Sequence, residues 1–218
     1  NLLVSAAVDA AGLGFVSDQT TVDPETGVVA AVAGRLAALI SAMPANLVSG
    51  VVGFDGAGIS VVGIYRSEQA RDVFTAAAAA VEATVELEPP PNATADDAIA
   101  LEAQLNAFVA QNPIRFEPGA AVLGETAFAV VDRLARDTQR FTGLAITVEG
   151  HTDSDGDAGA NLRLSQARAD TVRAALVERG LAPEAIAAVG FGSEQPVLVD
   201  GVEDKLASRR VEFRVVTA

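Results

Sequence analysis

Ile146 to Val172 reads ITVEGHTDSDGDAGANLRLSQARADTV. Leu144, Ile146 and Val148 alternate with Ala145 and Thr147, the period of a half-buried strand. An acidic loop with Gly156 follows. A helical pattern then runs from about Asn161 to Arg179, with Leu162, Ser165, Ala169, Val172 and Leu176 on one stripe. Gly180 stands where a helix ends, and Ile186 to Gly190 reads as the next strand. Strand, crossover helix and strand call for a layered fold with helices packed on a sheet.

Working outward, Arg210 to Val216 reads as a last strand and Glu203 to Ser208 as a helical turn. Upstream, Thr94 caps a helix from Ala95 to about Ala110. Ile114 to Glu117 reads as a short strand, Pro118-Gly119 as a turn, and Leu123 to Arg140 as a helix with Phe128, Val131 and Leu134 inward. Pro89-Pro90-Pro91-Asn92 marks a boundary, because three prolines continue neither helix nor strand.

Before that boundary, Leu47 to Phe54 and Ile59 to Tyr65 read as a hairpin turned at Asp55-Gly56. Ser67 caps a helix to about Ala80 that buries Ala70, Val73, Phe74 and Ala77. Val81 to Leu87 closes the unit as a strand, with Val81, Ala83, Val85 and Leu87 on one face. Gly27 to Met43 reads as a helix stopped by Pro44. Leu2 to Ala11 reads as the end of a helix, Leu13 to Val22 as a strand and Asp23 to Gly27 as a turn. The fold class expected is α/β (α+β).

Composition narrows the function. The chain has 218 residues, half of them apolar, so a core can form. Net charge is −14, with 10 acids against 3 bases in residues 1–92 and 19 against 12 in residues 93–218. No segment is a basic patch, which sets aside nucleic acid and adsorption to anionic lipid. Without cysteine there are no disulfides or thiolate metal sites. The chain starts in mid-pattern at Asn1 and shows no signal peptide or spanning run, so it reads as a fragment whose membrane anchor lies upstream.

Asp153, at the end of a strand, and Arg168, nearly two turns into the following helix, fit one binding chemistry. A zwitterionic ligand needs an anion for its ammonium and a forked cation for its carboxylate, and Arg binds a carboxylate bidentately where Lys cannot. The plain alternative is that the two residues pair with each other. Asp153-x-Asp155-x-Asp157 resembles the start of a calcium loop, yet Ala158 and Leu164 fall where glycine and glutamate are needed. His151 is the only histidine, so a standard zinc site or a Ser-His triad lacks its partners. No cofactor, metal or catalytic role is expected.

IRFEPGAAVL, VEGHTD, LSxxRA, GFGSEQP and RRVEF occur in this order between Pro113 and Val216. Together they resemble the OmpA-like C-terminal family, which includes the Pal and MotB domains. The resemblance implies a βαβαβ-type domain on a small mixed sheet. It also implies non-covalent binding of peptidoglycan, with Asp153 and Arg168 clamping the meso-diaminopimelate of the stem peptide. Thr152, Asn161 and Leu164 match neighbouring motif positions, and Arg209 and Arg210 match a terminal basic pair of which one faces the ligand. Glu117 stands where many members have Asp, and Ser208 where many have Asn.

GISVVGIYRSEQARDVFTAAAA followed by VEATVELE resembles the BON domain of bacterial envelope proteins. The implied organisation is the tail of a preceding BON-like repeat (1–26), a BON-like domain (27–88), a Pro-rich linker (89–92) and an OmpA-like domain (93–218). The function implied is a non-catalytic tether between the bacterial cell envelope and the wall, in the periplasm or another extracytoplasmic location. Membrane contact runs through the unseen anchor. A self-assembling, pore-associated component, with the BON-like part as the working half, stays open as the alternative.

Overall fold

A computed structural model describes residues 6–8, 28–117 and 119–218. The chain divides into two compact units, Asn1–Pro91 and Asn92–Ala218. Both combine helices with a small mixed sheet, the α/β class expected.

The first unit runs β1 (Ala6–Val8), α1 (Val28–Asn46), β2 (Leu47–Phe54), β3 (Ile59–Tyr65), α2 (Glu68–Ala80) and β4 (Ala83–Glu88). The sheet order is β1-β2-β3-β4, antiparallel except between β3 and β4. Asp55 Oδ1 accepts from the N–H groups of Ala57 and Gly58, which tightens the hairpin turn. Ser67 caps α2 by accepting from Ala70 N. Leu36, Leu39 and Met43 of α1 and Phe74 of α2 bury against Leu47, Val52, Ile59 and Val61 of the sheet.

Three readings in this unit need correction. Ala6–Val8 is a strand on the free edge of β2, where a helix end was expected. A run as short as Ala-Ala-Val has no period to read, and the open sheet edge decides its state. Pro44 does not stop α1, because it falls in the last turn. Asn46 donates back to Ala42 O, and Arg66 supplies donors to Pro44 O and Asn46 O. Val73 points to solvent, while Phe74 and Ala78 are buried. The readings of Leu13 to Val22 and Asp23 to Gly27 lie outside the described residues.

The second unit contains α3 (Ala95–Gln111), α4 (Ala127–Thr138), β5 (Leu144–His151), α5 (Ala158–Glu178), β6 (Ile186–Gly192), β7 (Leu198–Val199), β8 (Val202–Glu203), α6 (Lys205–Ser208) and β9 (Val211–Thr217). β5 is central, parallel to β6 and antiparallel to β9. A capping box between Thr94 and Asp97 starts α3. Leu101, Leu105, Val131, Leu134, Val172 and Leu176 of the helices join Ile146, Val148, Ile186 and Phe213 of the sheet in one core. Asn106 Nδ2 donates to Phe213 O, and Asn106 Oδ1 accepts from Phe213 N, both at 2.8 Å. Glu102 Oε2 accepts from Val215 N. Side chains of α3 thus bond the outer edge of β9 as a neighbouring strand would.

Here too the structure departs from the sequence pattern. Ile114 to Glu117 forms no sheet strand; Phe116 makes one isolated bridge to Leu123. Within this unit the parallel crossover is therefore β5–α5–β6. α4 begins at Ala127, because the chain is still turning through Gly124 N–H to Arg115 O and Ala127 N–H to Gly124 O. Its core stripe is Ala127, Val131, Leu134 and Ala135, which leaves Phe128 facing out. Leu162, in the first turns of α5, is also exposed. The β7–β8 hairpin was not expected; Asp200 and Gly201 both have positive φ, as a two-residue turn of this hand requires.

Candidate functional site

The site forms where β5 ends and α5 begins. Two glycines bring them together. A Cβ on Gly150 would lie 2.3 Å from Ser165 O, and one on Gly190 would lie 2.2 Å from Gln166 N. Only glycine lets α5 sit this close to β5 and β6. Ser165 Oγ accepts from Gly192 N and donates to Leu162 O, and the Gln166 amide bonds Gly190 N and Ala188 O. These contacts fix the register of α5, and with it the position of Arg168 one turn further on.

Arg168 is half-buried. Its Nε donates to Ala120 O at 3.1 Å, and its guanidinium lies 5.0 Å from the centroid of the Phe116 ring. Thr171 Oγ1 donates to Ala121 O at 2.7 Å. Ala120 and Ala121 are therefore fastened to one face of α5. Burial lowers the Arg168 pKa, the positive charge of Arg209 adds to this, and Asp153 opposes it. Among the described residues its hydrogen bonds are confined to Nε, so the outer edge of the fork remains available.

Asp153 is buried, with Oδ2 accepting from Arg209 Nη1 and Oδ1 from Asp155 N. The sequence left open a direct pair between Asp153 and Arg168; the ion pair of Asp153 is instead with Arg209. Asn161 uses its amide to hold Asp153 O and Asp155 O, which makes it a support of the loop. Thr152 N–H donates to Gly192 O, and its buried Oγ1 has no partner among the described residues. Leu164 is half-buried on α5, and Glu117 is exposed beside Phe116. Arg210 turns away from Arg209, as alternation along an extended segment dictates, and donates to both oxygens of Glu212 and to Gln195 O.

The acidic loop is not a cation cage. Asp155 pairs with Lys205 at 2.5 Å, and Asp157 caps α5 through Ala160 N. Glu203 accepts from Ser154 N and Oγ. Glu203 and Lys205 thus tie the β7–β8 hairpin and α6 to the loop, a wall of the site that the sequence did not disclose. Ser208 is buried and accepts from Val197 N, so it anchors the chain after β6. The signal missed was the Asp-Gly turn between Val199 and Val202.

His151 is buried and stacks on Phe191, with centroids 5.3 Å apart and planes at 8°. Its pKa is pushed down to about 4, first by burial and then by Arg210, with Glu212 opposing. The ring is neutral at pH 7. An acid–base pair with Asp153 gains no support, since the Asp153 carboxylate is held by Arg209.

A model of the OmpA family matches residues 115–210. Outer membrane porin F of Pseudomonas fluorescens is 37% identical over 103 residues, which is 47% of this chain and 32% of that protein. The peptidoglycan-binding protein ArfA of Mycobacterium tuberculosis (strain ATCC 25618 / H37Rv) is 35% identical over 136 residues, 62% of this chain and 41% of that protein. The crystal structure of the peptidoglycan-associated lipoprotein from Burkholderia pseudomallei is 26% identical, covers 54% of this chain and 99% of that one, and superposes with a TM-score of 0.43. The chain spans less than half the length of these two curated relatives.

Proposed function

We propose that residues 93–218 bind peptidoglycan without covalent chemistry, gripping the zwitterionic end of meso-diaminopimelate in the stem peptide. The protein would thereby be tethered to the wall in the bacterial cell envelope. The observation that carries this reading is the arrangement around Arg168. A half-buried guanidinium, braced at Nε and by an aromatic face, keeps its outer N–H groups beside a buried carboxylate. Arg168 takes the ligand carboxylate bidentately, and Asp153 takes the ammonium in exchange for its pair with Arg209. Thr152 and Leu164 flank the site, Asn161 holds the loop, and Arg209 and Glu117 stand at its rim. Arg210 belongs to the sheet rather than to the ligand.

The match to the OmpA family and the likeness to a peptidoglycan-binding protein support the peptidoglycan part of this reading. Residues 27–88 are read as a BON-like domain ahead of the Pro-rich linker 89–92, with Ala6–Val8 joining its sheet rather than a separate unit. The reading is tested by calorimetric titration of the full chain with a soluble diaminopimelate-containing stem tripeptide. Saturable heat that disappears in folded Asp153→Ala and Arg168→Ala supports the clamp. Absence of heat with the folded parent overturns it.

A further inference from the structure

A second cluster lies on the other face of the sheet. β5 and β9 place Glu149 directly opposite Glu212. Like charges facing each other across an antiparallel pair destabilise it, so the pair calls for a cation. Arg210 supplies part of this, with bonds of 2.8 and 3.2 Å to the two Glu212 oxygens. Arg214 is mostly exposed and stands 3.9 Å from Glu149, beyond hydrogen-bond reach. The Glu149 side chain is only 14% exposed.

His151 completes the cluster. Its side chain is 0% exposed, and neither ring nitrogen has a hydrogen-bond partner among the described residues. Buried ring nitrogens are nearly always bonded, so two idle ones call for an explanation. Nε2 lies 3.6 Å from Glu212 Oε2. One ligand atom each from Glu149, His151 and Glu212 falls within 4.8 Å of the others.

We propose that Glu149, His151 and Glu212 bind a divalent transition-metal cation of the Zn²⁺ type. The donor set is one imidazole nitrogen and two carboxylate oxygens. Such a set suits Zn²⁺, whereas Mg²⁺ and Ca²⁺ favour oxygen ligands alone. Zinc ligands sit about 2.0–2.2 Å from the ion, so the three groups draw inward on binding. Glu212 is 40% exposed and would exchange its bonds from Arg210 for the ion. Arg210 gives up Glu212 without being stranded, because Gln195 O and Ser208 O also accept from it. Exposed Arg214 lies near the cluster, 3.9 Å from Glu149. The ion joins β5 to β9 two residues before Asp153, at the root of the ligand loop. Spacing along the chain hides this site, since only strand pairing brings Glu212 to Glu149.

The test uses the tag-free, metal-stripped full chain and zinc chloride. His151 is the only histidine, so its two ring nitrogens give an unambiguous ¹⁵N signal. Both calorimetric heat and the ring shifts should saturate together at a single ion per chain, unaffected by millimolar magnesium. Glu149→Gln and Glu212→Gln should each weaken binding by about tenfold or more. Glu212 is partly exposed, so its variant keeps the measurement available should Glu149→Gln disturb the sheet. Cobalt substitution should give ligand-field bands that vanish in the variants. Ring signals unmoved by zinc, or zinc affinity unchanged in folded Glu212→Gln and Glu149→Gln, overturn the proposal.

Discussion

Arg168→Lys separates charge from geometry at the ligand site. The change keeps a positive charge and removes the fork. In the folded chain it deletes the Nε bond to Ala120 O and the planar contact with Phe116. A net hydrogen bond contributes about 0.5–1.5 kcal/mol, and a partly exposed cation–π contact about 0.5–1, so the fold loses about 1–2.5 kcal/mol. The ligand loses one of two charge-assisted bonds, about 1.5–3 kcal/mol. That converts to roughly 10–100-fold weaker binding. The assay is calorimetric titration with the stem tripeptide, beside urea unfolding of the same samples. Arg168→Ala should fall further, since it removes both bonds and the charge. Binding by folded Arg168→Lys within about twofold of the parent would refute the bidentate role, because a point charge would then suffice.

Gly190→Ala puts a methyl group against the backbone of Gln166, where neither side can yield. The cost is at least the roughly 1–3 kcal/mol of an overpacked core, read as a lowered denaturation midpoint with loss of ligand binding. Asn106→Ala leaves Phe213 N–H and C=O without their side-chain partner, and should cost about 1–3 kcal/mol by chemical denaturation. For His151, the folded pKa of about 4 lies below the ordinary value of 6.5. As pH falls, the unfolded chain takes the proton first. The contribution is fully present above about pH 6.5 and is lost progressively down to about pH 4, on the order of 3 kcal/mol in all. Urea unfolding in chelator against pH, compared with His151→Gln, should show that slope in the parent alone.

Much of this could be read along the chain. Alternation marked β4 and β5, and Ser67 and Thr94 marked two helix starts, because these signals are local. Motif order drew attention to Asp153 and Arg168 before any geometry was known. What the chain could not disclose depended on distant partners. Ile114 to Glu117 alternates like a strand but meets no sheet edge beyond one bridge to Leu123. Phe128 is apolar, yet a helix start displaced to Ala127 turns it outward.

The sequence by itself determined the α/β class and the break at the prolines, since these rest on period and backbone restriction; it proposed the acid–arginine pair through motif order alone. Only the tertiary structure decided which arginine holds Asp153, because Arg209 arrives from across the sheet and Arg210, one residue on, faces away. It also decided that Glu149 meets Glu212 beside His151, for strand register is a property of two segments and is written in neither alone.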